Sequence, residues 1–98
     1  MYFRIDGKTA VKNMLRNNKI FVIDARDKGE YISGHIKGSV WMPYYEVKTK
    51  GAVLLPKRKD TVIYVYCATG TRSDMVCSIL DGMGYTKVYN IGGFSDLI

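Results

Sequence analysis

The chain has 98 residues, of which 47% are hydrophobic and 24% are charged, a balance typical of one soluble globular domain spanning residues 1–98. Two cysteines and one histidine are too few for a secreted disulfide framework or a convincing tetrahedral zinc site, and no apolar run approaches the length of a membrane span. The formal charge of +6 raises the question of nucleic-acid binding, but the basic residues are scattered along the sequence, which favours a solvated surface instead.

In chain order, the sequence predicts a strand at residues 3–5, a helix at 9–17, strands at 20–24, 39–42 and 62–66, a helix from Ser73 to Gly84, and a strand at 87–91. Apolar, β-branched runs bounded by charged or turn residues indicate the strands, and apolar residues at helical spacing indicate the helices. This alternation favours an α/β fold with a central, mostly parallel sheet of about five short strands and helices on both faces. Ligand sites in such folds form beyond the carboxyl ends of the strands.

The stretch CATGTRS, residues 67–73, follows the apolar run VIYVY and therefore places Cys67 at one of those strand ends. Such a stretch is compatible with an ordinary strand-to-helix turn, with a nucleophilic thiol in an anion-binding loop, or with half of a metal or disulfide site. The neighbouring residues have to distinguish these three interpretations.

The residues after Cys67 favour the anion-binding interpretation. Gly70 permits a positive φ that lets several N–H groups point at one spot, and Arg72 adds a fixed positive charge. Ser73 is predicted to be the N-cap of the next helix, whose positive dipole end faces the loop. The other loop residues have small side chains that leave the backbone accessible: Ala68, Thr69 and Thr71. All of these features stabilise a thiolate, which is the nucleophilic form of cysteine.

Two further motifs accompany the loop pattern C-x-x-G-x-R-S. The upstream segment IDARDKGEYISGHIKGSVWMP fits the pattern D-x-R…E-[YF]-x-x-G-H-I-x-G-[AS]…P through Asp24, Arg26, Glu30, Tyr31, Gly34, His35, Ile36, Gly38, Ser39 and Pro43. The downstream segment VYNIGGF covers residues 88–94. Together the three motifs resemble the rhodanese (thiosulfate sulfurtransferase) family in order and spacing, and the chain is identified as a single-domain member.

The resemblance implies a catalytic cycle through a persulfide on Cys67. A small anionic sulfur donor such as thiosulfate gives its sulfane sulfur to the thiolate, and loop N–H groups from Ala68 to Ser73 hold the substrate and the persulfide. Cyanide or a thiol then accepts the sulfur, a thioredoxin-like protein being one such acceptor. No metal, organic cofactor, nucleic acid or membrane is expected. Because the N-terminal sequence MYFRIDGKT lacks the features of a signal peptide, we expect a cytoplasmic protein.

The remaining candidate residues are expected to support the site without reacting. Asp24, Arg26 and Glu30 are interpreted as an ion-pair group that holds the loop after the second strand. His35 is interpreted as the source of a structural hydrogen bond, although Cys–His pairs activate thiols in other enzymes. Cys77 lies one turn into the second predicted helix and off its apolar stripe, so it is expected to be non-catalytic.

Three other functions compete with sulfur transfer. A cysteine phosphatase or arsenate reductase uses a wider loop of the form C-x5-R, whereas only Ala68, Thr69, Gly70 and Thr71 separate Cys67 from Arg72 here. A rhodanese-like fold kept as a sulfur-carrier or regulatory interaction module is the second alternative, but the inactive versions usually lack the cysteine. A thiol–disulfide oxidoreductase is the third, and the chain has no C-x-x-C pair.

Overall fold

A computed structural model describes residues 1–98 of the chain. Its strands are β1 (Phe3–Arg4), β2 (Phe21–Asp24), β3 (Val40–Trp41), β4 (Ile63–Cys67) and β5 (Val88–Gly93). They form one five-stranded parallel sheet in the order β1-β5-β4-β2-β3. Every predicted strand is therefore present within two residues of its predicted ends, and the predicted α/β fold is confirmed. The central strand β4 is buried along its whole length, which explains why its sequence is apolar throughout.

Four α-helices connect or follow the strands, and a short 3-10 helix lies near the C-terminus. They are α1 (Gly7–Arg16), α2 (Lys28–Ser33), α3 (Tyr44–Leu54) and α4 (Thr71–Gly82), with the 3-10 helix at Phe94–Asp96. The helix predicted at 9–17 corresponds to α1 but begins at Gly7, because the Asp6 carboxylate accepts a hydrogen bond from the Thr9 N–H at 2.8 Å and caps the helix there. The helix predicted from Ser73 to Gly84 corresponds to α4.

The sequence analysis does not predict α2 or α3, and both helices lack an apolar stripe. No residue of α2 is buried, and α3 buries only Val47 and Gly51. Helix α2 is instead stabilised at its start by a capping box, in which the side chains of Asp27 and Glu30 bond to each other's backbone N–H groups. The D-x-x-E spacing of that box was the available sequence signal for α2.

Two apolar clusters cover the two faces of the sheet. On one face, Ile23 and Val65 of the sheet pack with Val47 of α3 and with Val76 and Leu80 of α4. On the other face, side chains from α1, the sheet and the C-terminal segment pack together: Ala10, Val22, Tyr64, Tyr66, Ile91 and Leu97. Alternate residues of β4 therefore serve opposite faces, as the pleat of a strand requires. The prediction of helices on both faces is confirmed.

Some of the exposed basic residues lie where the chain enters the strands, and others lie along α1 and α3. Lys19, Lys37 and Lys87 each lie shortly before a strand, and the run Lys57, Arg58 and Lys59 precedes β4. Cys67 lies at the opposite, carboxyl edge of the sheet. None of the helices has both the length and the apolar character needed to cross a bilayer.

Candidate active site

Cys67 is the last residue of the central strand β4, at the carboxyl edge of the parallel sheet. The chain then turns through Ala68 and Thr69 to Gly70, which has φ 94° and ψ −9° and is the N-cap of α4. This left-handed backbone requires a glycine and brings the start of α4 back over the end of β4. The predicted positive φ at Gly70 is confirmed, and the thiol lies at the N-terminal end of a twelve-residue helix.

The Cys67 sulfur accepts a hydrogen bond from the loop backbone and lies beside the Ser73 hydroxyl. The Gly70 N–H lies 3.0 Å from Sγ, and the Ser73 hydroxyl oxygen lies 3.5 Å from it. Burial raises the pKa of the Cys67 thiol, but the Ser73 hydroxyl and the backbone N–H groups of Ser73, Thr69 and Gly70 lower it by more. The net pKa is therefore below the ordinary value for cysteine, and the thiolate is favoured.

The prediction that Ser73 is the N-cap of α4 is wrong. The left-handed Gly70 lets the helix begin at Thr71, so Ser73 is already the third residue of the helix and is fully buried. Its hydroxyl turns inward, where it lies 2.9 Å from the Gly70 carbonyl oxygen and close to the Cys67 sulfur. Ser73 therefore contacts the thiol through its side chain as well as through its backbone.

Two glycines of β5 form the base on which the loop lies. A Cβ atom at Gly93 would lie 2.5 Å from the Ala68 carbonyl oxygen, so only glycine allows the loop to approach the strand this closely. Gly92 has φ 96° and lies at an irregularity in the pairing of β4 with β5. The sequence analysis identified the VYNIGGF segment only by resemblance and assigned its glycines no role.

Asn90 of β5 is a second residue that the sequence analysis missed. Its side chain is 2% exposed and bridges the loop, α4 and the strand. It accepts hydrogen bonds from the Ser73 hydroxyl and the Gly92 N–H, and it donates to the Gly70 carbonyl and the Asp74 carboxylate. An asparagine inside an otherwise apolar predicted strand was the signal that could have identified it.

The Arg72 guanidinium is directed to helix α2. It donates to the Glu30 carboxylate at 2.9 Å and 3.4 Å, and it lies 3.5 Å from the Asp27 carboxylate. This pairing raises the pKa of Arg72, with a smaller contribution from the negative charge of Cys67, and it lowers the pKa of Glu30. Arg72 thus ties the loop after Cys67 to α2 while lying near enough to Cys67 for the two charges to interact.

Asp24 and Arg26 form the predicted ion pair, which lies under the loop between β2 and α2. The Arg26 Nη2 atom lies 2.8 Å from the fully buried Asp24 carboxylate, which also accepts a hydrogen bond from the Tyr66 hydroxyl. The Arg26 guanidinium stacks over the Phe94 ring at 4.2 Å. Glu30 belongs to a different pair, the one with Arg72, so the predicted group of three is divided between two ion pairs.

His35 is exposed and contacts a different part of the chain from Cys67. Its Nδ1 atom hydrogen bonds with the Tyr31 carbonyl oxygen at 2.8 Å, and its ring stacks on the Tyr31 ring with centroids 3.7 Å apart. These local contacts are the kind of structural role that the sequence analysis assigned to it.

Cys77 lies inside the apolar core, and its predicted position off the apolar stripe of α4 is wrong. The buried residues of the helix are Ser73, Val76, Cys77 and Leu80, which follow the i, i+3, i+4, i+7 spacing of one helical face. Burial raises the pKa of Cys77 to about 12. No group of three His, Cys, Asp or Glu side chains is arranged to hold a metal ion.

A cysteine with a lowered pKa at a helix start is suited to nucleophilic thiol chemistry. Comparisons with known proteins point to one family. A family model described as "Rhodanese-like domain" matches residues 8–97. Over 75 residues the chain is 41% identical to thiosulfate sulfurtransferase PspE of Escherichia coli (strain K12), covering 76% of this chain and 71% of that protein. It is 33% identical over 70 residues to the putative sulfur carrier protein YrkF of Bacillus subtilis (strain 168), covering 71% of this chain but only 36% of that protein.

Solved structures give the same result at the level of the fold. A structure described as a rhodanese with anions from E. coli superposes with a TM-score of 0.72 and 38% identity, covering 79% of this chain and 89% of that one. A rhodanese-related protein from Thermoplasma volcanium superposes with a TM-score of 0.81 and 28% identity, covering 98% of this chain and 90% of that one.

Proposed function

Because the chain belongs to the rhodanese-like domain family, we propose that it is a sulfurtransferase that carries sulfur as a persulfide on Cys67. The donor is thiosulfate or another sulfane-sulfur compound, and the acceptor is cyanide or a thiol. The observation that supports this best is the set of loop N–H groups and the Ser73 hydroxyl beside the Cys67 sulfur, which lower the pKa of the thiol in spite of its nearly complete burial.

The first step is attack of the Cys67 thiolate on the outer sulfur of thiosulfate. A new S–S bond forms to Cys67, the S–S bond of thiosulfate breaks, and its electron pair leaves with sulfite. Cys67 loses no proton in this step because it reacts as the thiolate. Only 1% of Cys67 is exposed, so the donor must present a small terminal sulfur at the loop.

The second step returns the enzyme to its starting state. Cyanide or an acceptor thiolate attacks the outer sulfur of the Cys67 persulfide, the S–S bond breaks, and the electron pair returns to Cys67 as the thiolate. Both forms of the enzyme carry one negative charge, which lies on Sγ in the thiolate and on the outer sulfur, one S–S bond further out, in the persulfide. The N–H groups of Thr69, Gly70 and Ser73 that stabilise the thiolate are therefore proposed to stabilise the persulfide as well.

The remaining loop residues are assigned supporting roles in this proposal. Ala68 and Thr71 shape the loop around the incoming anion, and Arg72 supplies positive charge near Cys67 while its pair with Glu30 holds the loop in place. Because Arg72 has a carboxylate partner, we assign the closest anion contacts to the backbone N–H groups.

A sulfur carrier is the second candidate function. It uses the same persulfide but passes the sulfur to a partner protein and turns over slowly with small acceptors. The specific observation in its favour is the nearly complete burial of Cys67, which protects a persulfide from exchange with solvent thiols. The relative described as a putative sulfur carrier is consistent with this second function.

Loading with thiosulfate tests the proposal. The purified protein is incubated with thiosulfate and freed of excess reagent, and cyanide is then added while thiocyanate is measured. We expect one cyanide-labile sulfur per chain and repeated turnover when both reagents are present. A single release without turnover would indicate the carrier function. Absence of labile sulfur would contradict both, and hydrolysis of an aryl phosphate instead would indicate a cysteine phosphatase.

A further inference from the structure

The side chain of Asn90 is held in one orientation by partners that cannot exchange roles. The Gly92 N–H can only donate, and it lies 2.9 Å from one side-chain atom, which must be the oxygen Oδ1. The Gly70 carbonyl can only accept, and it lies 3.0 Å from the other atom, which must be the nitrogen Nδ2. The second Nδ2 hydrogen is donated to the Asp74 carboxylate at 2.9 Å. Asn90 therefore keeps a partner on each polar atom without any contribution from Ser73.

Ser73, in contrast, has one hydroxyl proton and three groups within reach. Its oxygen lies 2.9 Å from the Gly70 carbonyl oxygen, 2.8 Å from Asn90 Oδ1 and 3.5 Å from Cys67 Sγ. When Cys67 is a neutral thiol, its S–H can donate to the Ser73 oxygen, and the Ser73 proton goes to the Gly70 carbonyl or to Asn90. When Cys67 is a thiolate, the Ser73 proton is needed at the sulfur.

Turning the Ser73 proton to the sulfur would normally leave a buried acceptor without a donor, which is unfavourable. Here both abandoned acceptors have a second donor. The Gly70 carbonyl still accepts from Asn90 Nδ2, and Asn90 Oδ1 still accepts from the Gly92 N–H. Ionisation of Cys67 therefore leaves no orphaned polar atom among these groups.

We propose that Asn90 is a positioning residue that frees the Ser73 hydroxyl to donate to the Cys67 sulfur. It acts through Ser73 and does not touch the sulfur itself. The inference rests on the proposed function only in taking Cys67 as the reacting thiol.

Other charged groups near Cys67 are already paired and are not removed by a change at Asn90. Arg72 pairs with Glu30, and Asp74 pairs with Arg4 at 2.6 Å as well as accepting from the Tyr2 hydroxyl. Cys77 and Tyr85 are the other titratable residues buried in the same apolar cluster. Because Asn90 also bonds to Asp74 and to the Gly70 carbonyl, a change in Cys67 ionisation is assigned to the Ser73 hydroxyl only by comparing the substitution of Asn90 with and without that hydroxyl.

The test is the pH dependence of Cys67 alkylation by iodoacetamide, located by peptide mass analysis. In Asn90→Ala we expect the midpoint to rise by about one pH unit, with a roughly tenfold lower rate at neutral pH. In the Ser73→Ala background, the same Asn90→Ala change should move the midpoint far less, since the hydroxyl through which it acts is gone.

A matched control is Asn13→Ala. It also removes an asparagine side-chain hydrogen bond, the one to the Tyr64 hydroxyl, which lies away from the loop. It should change the melting temperature but leave the alkylation midpoint in place. If Asn90→Ala does not fold, Asn90→Ser takes its place, because a hydroxyl is too short to reach all four partners and the same shift is expected.

Two results would overturn the inference: an unchanged midpoint in Asn90→Ala or Asn90→Ser, or an equal shift with and without the Ser73 hydroxyl. These outcomes are independent of sulfur transfer. If the wild-type protein takes up no sulfur from thiosulfate, the proposed function fails while the alkylation profiles still decide the role of Asn90.

Discussion

The two cysteines of this chain are in similar surroundings but differ in their ionisation. Cys67 is 1% exposed and Cys77 is fully buried, and both belong to the same apolar cluster. The pKa of Cys67 is nevertheless lowered, whereas burial raises that of Cys77 to about 12. Burial acts in the same direction on both thiols, so it cannot explain the difference.

The difference comes from the donors that the backbone supplies. Cys67 lies where β4 ends and the chain turns, so the N–H groups of Thr69, Gly70 and Ser73 are free to point at its sulfur. Cys77 lies in the second turn of α4, where the N–H groups are already used within the helix. A reactive thiol is therefore built here by placing the cysteine before a helix start, while a cysteine inside the helix serves packing.

The largest expected effect on activity comes from replacing one of the two cysteines by serine. Cys67→Ser should abolish sulfur uptake from thiosulfate, because a serine hydroxyl is neither acidic nor polarisable enough to carry the sulfur. Cys77→Ser should retain most of the activity and lose stability, since it places a hydroxyl among apolar side chains. Thiocyanate formation and melting curves measure the two effects. Equal inactivation of both variants would contradict a mechanism with one reactive cysteine.

The next effect is on the support of the loop. Gly93→Ala places a Cβ atom 2.5 Å from the Ala68 carbonyl oxygen and should push the loop away from β5. We expect kcat/KM to fall by about ten- to a hundredfold, as for the loss of one or two hydrogen bonds in the transition state. Gly82→Ala is the matched control, since a Cβ there meets nothing within 4 Å, and its kinetics should be unchanged. Normal kinetics in Gly93→Ala would show that the N–H groups around the Cys67 sulfur keep their positions without the close approach of the loop to β5.

A smaller effect is expected from Arg72. Arg72→Ala should lower kcat/KM about tenfold and also lower the melting temperature, because one change removes positive charge near Cys67 and the bond to Glu30. Lysine should restore only part of either property, since it lacks the planar fork that contacts both carboxylate oxygens.

Glu30→Gln separates the two contributions of Arg72. It keeps the guanidinium but weakens the bond that holds it, so it should reproduce the loss of stability with a smaller kinetic loss. If Glu30→Gln leaves the melting temperature unchanged while Arg72→Ala lowers kcat/KM, then Arg72 acts only through its charge.

The smallest effect concerns acid stability. The bond to Arg72 lowers the pKa of Glu30, so the charged pair stabilises the folded state above the ordinary glutamate pKa of about 4.3 and is lost as the pH falls through the folded value. Because both side chains are partly exposed, the contribution should be at most about 1 kcal/mol. Wild type and Glu30→Gln should therefore differ in melting temperature near neutral pH and converge once the pH falls below the lowered pKa of Glu30. A constant difference across this range would assign the stabilisation to another contact.

Sequence reasoning was successful where a single residue type determines the local structure. The apolar runs predicted the strands, Cys67 was placed at a strand end, and Gly70 was assigned a positive φ, all of which depend on local chemistry. It was wrong about Ser73 as the N-cap of α4, because the left-handed Gly70 takes that position three residues earlier.

The other differences depend on packing across the sheet. The buried face of α4 is wider than the apolar pattern indicated. Val76 and Leu80 are buried as predicted, and Cys77 joins them because the helix packs on α3 as well as on the sheet. The role of Asn90 depends on the register of β5 beside β4, including the irregularity near Gly92. The residue spacing within either segment alone does not determine how the two strands align.

The most direct measurement of the central claim is the pH dependence of alkylation at each cysteine of the wild-type protein. Iodoacetamide is applied at a series of pH values at which the protein stays folded, and the modified peptide of each cysteine is quantified separately. Cys67 should react with a midpoint below the ordinary cysteine pKa of about 8.5, while Cys77 should stay unmodified in the folded protein at all of these pH values. A midpoint for Cys67 at or above the ordinary value, or parallel modification of both thiols, would contradict the account.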